Sequence, residues 1–120
     1  MIEIKHRYTG KVLHTVPADT LAGADLRGVC LGHANLCGAD LCEADMRGVA
    51  LCEADMRGAD MCEANLCGAD MRGADMRGAD LCWADMRLAD MRGATLRGAN
   101  LCGADLCEAD MRGATLPEDV

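Results

Sequence analysis

The stretch Ala54-Asp55-Met56-Arg57-Gly58-Ala59-Asp60-Met61-Cys62-Glu63-Ala64-Asn65-Leu66-Cys67-Gly68 contains three copies of one five-residue phrase. Each copy reads Ala, then Asp or Asn, then Leu or Met, then two variable residues. Outward from this stretch the phrase runs without insertion from Asp19 to Glu118, twenty times in all. A period of five excludes a straight strand, because alternation would throw Leu21, Leu26 and Leu31 to opposite faces in turn. It also excludes a single helix, since five residues advance the direction by about 140° and the Leu/Met row would spiral around the cylinder. The chain must instead bend once per phrase, returning every Leu or Met, and the Ala two residues before it, to the inside of a solenoid. Gly is frequent at the last position and suits the bend because it tolerates positive φ.

Twelve Leu and eight Met fill the central position, and at about 1.5–3 kcal/mol for each fully buried side chain they form the main stabilising term. The number of phrases per coil is suggested by two irregular ones, Val29-Cys30-Leu31 and Val49-Ala50-Leu51, which lie twenty residues apart. Four phrases per coil would stack like on like.

Length and composition set the remaining bounds. A chain of 120 residues is one domain by length. It has no Phe and no Ser, one Trp and one Tyr, yet is 51% apolar, so the core is narrow and lined by small or unbranched side chains. The net charge of −8, from 20 acidic and 12 basic residues, disfavours direct binding to a phosphate backbone and allows basic partners. Met1-Ile2-Glu3-Ile4-Lys5 is too polar for a signal peptide, and no apolar run reaches the roughly 18 residues of a membrane span, so a cytoplasmic location is expected. Nine Cys is an odd number, and eight share one repeat position, which predicts reduced thiols and not a disulfide framework.

The leader, residues 1–18, reads as two β-branched alternating runs around Thr9-Gly10, a hairpin-like cap with Ile2, Ile4, Tyr8 and Leu13 on one face. That face can cover one end of the stack. The same register places His6 and His14 on opposite faces, which argues against a two-His metal site. His33 looks isolated, at a position otherwise held mainly by Gly or Glu.

Phrases such as Ala54-Asp55-Met56-Arg57-Gly58 and Ala64-Asn65-Leu66-Cys67-Gly68 resemble the pentapeptide-repeat family, over about five-sixths of the chain, and the leader is similar to short segments that precede such repeats in bacterial members. The resemblance implies an all-β fold: a right-handed, four-sided parallel β-helix of about five coils, with the β cap at residues 1–18, the helix at 19–118 and a tail at 119–120. At about 4.8 Å per coil the rod would be roughly 24 Å long.

With four sides, residues twenty apart share a column. The side through Leu36, Met56, Met76, Leu96 and Leu116 balances to zero charge, the side through Leu31, Leu51, Met71, Met91 and Met111 carries −1, and the side through Leu26, Met46, Leu66, Met86 and Leu106 carries −2. Nine Arg lie on these three. The fourth side, through Leu21, Leu41, Met61, Leu81 and Leu101, has Asp19, Asp40, Glu43, Asp60, Glu63 and Asp80 and no Arg, giving −6. Cys42, Cys62, Cys82 and Cys102 stand where the other sides place Arg. Trp83 is at its corner, and Leu88 fills the Gly position of the next phrase. These residues form the candidate interaction face, set against the plainer reading that outward positions vary among soluble residues.

The cysteine column fits a tetrahedral zinc site poorly, because a straight column does not converge. Parallel, in-register Cβ vectors and a reducing compartment argue against disulfides. A soft metal such as Cu(I) could bridge two thiolates, although neighbouring carboxylates would raise the thiol pKa values. For catalysis there is no Ser nucleophile, no His beside a Cys in the repeat columns and no phosphate-cradling Gly loop, so no enzyme, cofactor or catalytic residue is expected.

The leading expectation is therefore a rigid scaffold offering its acidic, Cys-lined face to an unidentified, basic protein partner. The resemblance implies an alternative, since some family members imitate DNA and inhibit gyrase. A duplex as long as the rod would carry about 14 phosphate charges, against −9 on the repeats. Nine interrupting Arg, and the lack of protruding loops and of a C-terminal dimer helix, weaken that alternative. Thiol-based metal or redox sensing is a third reading. A solenoid end exposes unpaired backbone, and Leu116-Pro117-Glu118-Asp119-Val120 offers little to cover it, so self-association is expected there.

Overall fold

Each phrase folds into one short side and one corner, and the main-chain hydrogen bonds show why. In a computed structural model that describes residues 1–117, Asp45 pairs with Asp25 across one coil: its N–H donates to the Ala24 carbonyl at 2.9 Å and its carbonyl accepts from the Leu26 N–H at 2.8 Å. The same parallel pairing recurs in steps of twenty residues, from Asp25 with Asp45 to Thr95 with Thr115. Twenty is four phrases of five, so the rod has four sides. Cys30 pairs with Ala50, as the irregular phrases suggested. The fold is a right-handed parallel β-helix preceded by a small sheet.

Corners are β-turns in which the Ala N–H donates back to the carbonyl of the preceding central residue, as from Ala24 to Leu21 at 3.0 Å. The third residue of each turn has positive φ, as a type II turn requires. Most are Gly, but His33, Glu43, Glu53, Glu63, Trp83, Leu88 and Glu108 hold φ of 60–62°. For bulky side chains this conformation costs about 1–2 kcal/mol.

The inside is filled as the period of five predicts. Every central Leu or Met from Leu26 to Leu96 is buried, and Ala lines the interior beside it. Toward the far end Leu101, Leu106 and Met111 are only partly covered, and Leu116 is 47% exposed. Residues 118–120, which include most of the segment invoked for self-association and the tail at 119–120, lie outside the described residues. Among the described residues no helix is long and apolar enough to cross a membrane.

The leader forms β1 (Ile2–His6) and β2 (Val12–Val16), paired antiparallel, and β1 also pairs antiparallel with β3 (Ala34–Asn35), on the first coil. It thus covers that end, but in a different register from the one expected. Ile2 faces Val16 and Ile4 faces His14, with a bulge between Ile4 and Lys5. The connection is Arg7–Lys11, five residues instead of two, closed by the His6 N–H on the Lys11 carbonyl. Ile4 and Val16 are the buried residues of the ribbon, while Tyr8 lies in the turn, 73% exposed, with the Arg7 guanidinium over its ring.

Two histidine expectations change as well. His14 opposite Ile4, and His6 two residues after Ile4, put both histidines on the same side of the ribbon. His33 is not isolated: its ring stacks on His6, centroids 5.4 Å apart, and its carbonyl accepts the Arg7 N–H at 2.7 Å. Arg7 continues inward to donate to the Glu53 carbonyl at 3.0 Å. A repeat pattern carries no signal for contacts between a leader and the coil beneath it.

Candidate functional site: an acidic side without arginine

The aspartate of each phrase sits at the middle of a side, and the first variable residue begins the corner two positions later. This spacing lets the aspartate Oδ1 accept the main-chain N–H of that residue, as from Arg57 to Asp55 at 3.2 Å. When the corner residue is Arg, its guanidinium folds back on the same carboxylate. Arg57 Nε donates to Asp55 Oδ1 at 2.8 Å and Nη2 to Oδ2 at 2.7 Å. Arg27, Arg47, Arg72, Arg77, Arg87, Arg92 and Arg112 clamp Asp25, Asp45, Asp70, Asp75, Asp85, Asp90 and Asp110 in the same two-pronged way. Several of these arginines also lean toward the aspartate one coil on, as Arg72 does toward Asp90 at 3.9 Å.

The clamps set the electrostatics of three sides. Hydrogen bonding to Arg27 and Arg112 holds the Asp25 and Asp110 carboxyls down at about 2. Asp55, which is buried, is held below the ordinary carboxylate range chiefly by Arg57, with Arg7 contributing. Stacked like charges would otherwise repel across the ladder.

The fourth side is built on the same backbone without the clamp. Asp40, Asp60 and Asp80 pair in register and Asn100 continues their column. Each gives one oxygen to the N–H of the following cysteine, at 3.2, 3.0, 3.0 and 3.0 Å for Cys42, Cys62, Cys82 and Cys102. No arginine follows any of them, and among the described residues Asp40, Asp60 and Asp80 form no ion pair. Their second oxygens are uncompensated. Glu43, Glu63 and Trp83 succeed one another at the adjoining corner, all exposed and all at positive φ. The Trp83 indole packs on Gly103, so close that a Cβ there would stand 2.5 Å from the ring.

The family assignment rests on the whole repeat. The profile of the Pentapeptide repeats family matches residues 21–58, 53–87 and 84–118. The chain belongs to the pentapeptide-repeat family. Among solved structures it is similar to HetL, a pentapeptide repeat protein involved in heterocyst differentiation regulation from the cyanobacterium Nostoc sp. strain PCC 7120, with TM-score 0.80 and 39% identity over 84% of this chain and 48% of that one. A pentapeptide repeat protein from the cyanobacterium Cyanothece 51142 aligns with TM-score 0.75 and 31% identity, covering 77% of this chain and 63% of that one. Another, from the thylakoid lumen of Arabidopsis thaliana, gives 0.64 and 29% over 79% and 63%. The chain thus spans less than two thirds of each of these relatives. No curated protein matches the sequence.

Within this pentapeptide-repeat rod the candidate residues divide in two. Asp40, Cys42, Glu43, Asp60, Cys62, Glu63, Asp80, Cys82, Trp83 and Cys102 follow one side and its adjoining corner. Leu88 does not join them: it stands at the next corner, 58% exposed, beside a shallow depression of about 280 Å³ lined by Cys67, Arg87, Cys107 and Glu108. All nine cysteines are free. In the column, partial burial and the neighbouring acidic groups raise the Cys42 and Cys62 thiols above their ordinary value, and Cys82 is raised by burial and by Cys102.

Proposed function

We propose that this pentapeptide-repeat protein is a non-enzymatic scaffold whose arginine-free side docks a basic protein surface. The observation that carries the reading is the unclamped column Asp40–Asp60–Asp80, bordered by Glu43, Glu63 and Trp83. On the other three sides arginine already clamps eight of the aspartates before a partner arrives. Here a partner's lysine or arginine meets carboxylates that have no internal cation to displace, while Trp83 supplies an apolar, cation-attracting anchor. The compartment we assign is cytoplasmic.

The test is a matched pair of variants in an affinity capture from the source cell. Asp60→Asn/Glu63→Gln/Trp83→Ala is expected to lose a basic partner that the parent rod retains, and Asp70→Asn/Arg72→Gln, on a clamped side, to keep it. Equal retention by both would sink the assigned face. Duplex mimicry is the less supported reading, because eight two-pronged clamps neutralise aspartates on three sides. A supercoiling assay without inhibition of gyrase at micromolar protein would remove it. We place contacts between copies at the coil containing Leu101, Leu106 and Met111, and a strict monomer in sedimentation at high concentration would count against that placement.

A further inference from the structure

The four column cysteines differ from the other five in what lies directly above and below them. Pairing of Asp40 with Asp60, Asp60 with Asp80 and Asp80 with Asn100 fixes the register, so Cys42, Cys62, Cys82 and Cys102 follow in one line, two residues on. The Cys62, Cys82 and Cys102 carbonyls each accept an N–H from the coil before, at 2.8–2.9 Å, which holds the corner in step with the side. Cys42, Cys62 and Cys82 are half-buried and Cys102 exposed. Off the column, Cys30 pairs with Ala50, and Cys37, Cys52 and Cys67 each stand twenty residues before an arginine, Arg57, Arg72 and Arg87. Cys107 follows Arg87 by twenty residues in its column. Only in the one column does a thiol have a thiol for its vertical neighbour.

Successive coils of a β-ladder lie about 4.7–4.9 Å apart. Two metal–sulfur bonds of about 2.3 Å placed end to end span about 4.6 Å. An ion with two ligands in a line therefore matches the spacing of adjacent coils, and in-register side chains standing off the sheet set the two sulfurs side by side across the gap. A tetrahedral ion does not fit, since each gap offers two sulfurs and not four. Soft sulfur ligands suit Cu(I), zinc and iron–sulfur clusters; of these, Cu(I) accepts two sulfurs alone, and the surrounding Asp60, Asp80 and Glu63 attract a cation.

We propose that adjacent thiols of the Cys42–Cys62–Cys82–Cys102 column bind two-coordinate soft cations, Cu(I) in particular, with the Cys62–Cys82 gap as the central site. Two S–H bonds are replaced by two S–Cu bonds, both protons leave to solvent, and neither metal nor sulfur changes oxidation state. Burial first, with the neighbouring acidic groups and thiols adding to it, raises Cys42, Cys62 and Cys82 above the ordinary thiol value, so the ion must displace the protons. Because two protons are released, apparent affinity rises by up to about a hundredfold per pH unit while both thiols remain protonated.

The experiment holds the number of thiols constant and changes only their adjacency. Cys42→Ser/Cys102→Ser keeps the neighbours Cys62 and Cys82, whereas Cys42→Ser/Cys82→Ser leaves Cys62 and Cys102 two coils apart. Both chains, and the parent, are loaded anaerobically with Cu(I) and challenged with a chromogenic Cu(I) chelator between pH 6 and pH 8, after circular dichroism has shown that both retain the β-helix signal. The parent and the first variant are expected to retain Cu(I), with retention rising steeply with pH, and the second to surrender it at least tenfold more readily. Equal retention by the two variants, no retention by the parent, or retention independent of pH would each overturn the proposal. None of these readouts involves a protein partner, so the outcome is separate from that of the docking test.

Discussion

The phrases at Met56 and Met61, on two sides of this rod, share one backbone and differ only at the corner, Arg57-Gly58 against Cys62-Glu63. Beneath the side through Met56 and the side through Met61, the same Ala and Met fill the core and the same turns close the corners. In the first, the residue after the core position is Arg, and it returns to the aspartate two positions earlier. In the second it is Cys, and the aspartate keeps an oxygen free. A repeat thus separates stability, which lives inside and is common to all sides, from surface chemistry, which is set one position at a time.

The strongest test of that separation lies in the core. Met56→Ala and Met61→Ala are expected to cost the same, about 2–5 kcal/mol each, because both side chains are fully buried. A denaturation series giving clearly unequal losses would tie the interior to the surface and break the comparison.

The next effect divides the two sides. Asp55→Asn removes a charge that Arg57 clamps and Arg7 approaches at 3.9 Å, and chemical unfolding should show a loss of about 1–3 kcal/mol. Asp60→Asn keeps the oxygen that accepts the Cys62 N–H and relieves like-charge stacking, so it should be neutral or stabilising by a few tenths of a kcal/mol.

Acid should distinguish the sides by the same logic. The clamped carboxyls have depressed values in the folded protein, about 2 for Asp25 and Asp110. Their contribution is therefore complete above the ordinary carboxylate range and is lost as pH falls through the folded value. Thermal midpoints followed from pH 5 to pH 2 should decline, and a variant with Arg72, Arg77 and Arg92 changed to Gln should lose less over that interval than the parent. An identical decline would remove the clamps from the account.

The smallest expected change converts one side toward the other. Cys62→Arg should let residue 62 clamp Asp60, raising stability by no more than about 1 kcal/mol. It should also weaken both partner docking and Cu(I) retention. Unchanged docking would mean that the free carboxylate column is not what a partner reads.

Much of this was legible in the residues, for a physical reason. A strict period leaves the chain one way to return its Leu and Met to a common interior, so Leu66 and Met71 could be placed inside before any coordinate was known. The charge of each side followed from counting in steps of twenty. The leader was less legible, because Thr9-Gly10 allows more than one turn. The bulge after the Ile4–His14 pair accompanies the docking of β1 on the first coil, which also brings His33 under His6. Leu88 could be recognised as an unusual corner residue, but the side it serves follows from where the corner falls.

By itself the sequence determined the coil, its inside and the absence of arginine from one side, since all three are properties of order and period. Tertiary structure decided which oxygen each aspartate keeps. An arginine two residues on can fold back over its own carboxylate only because the turn places both on one surface, and a thiol meets another only because the next coil stacks in register above it. Such contacts join residues two or twenty positions apart through the geometry of the turn and the ladder, which residue order alone does not contain.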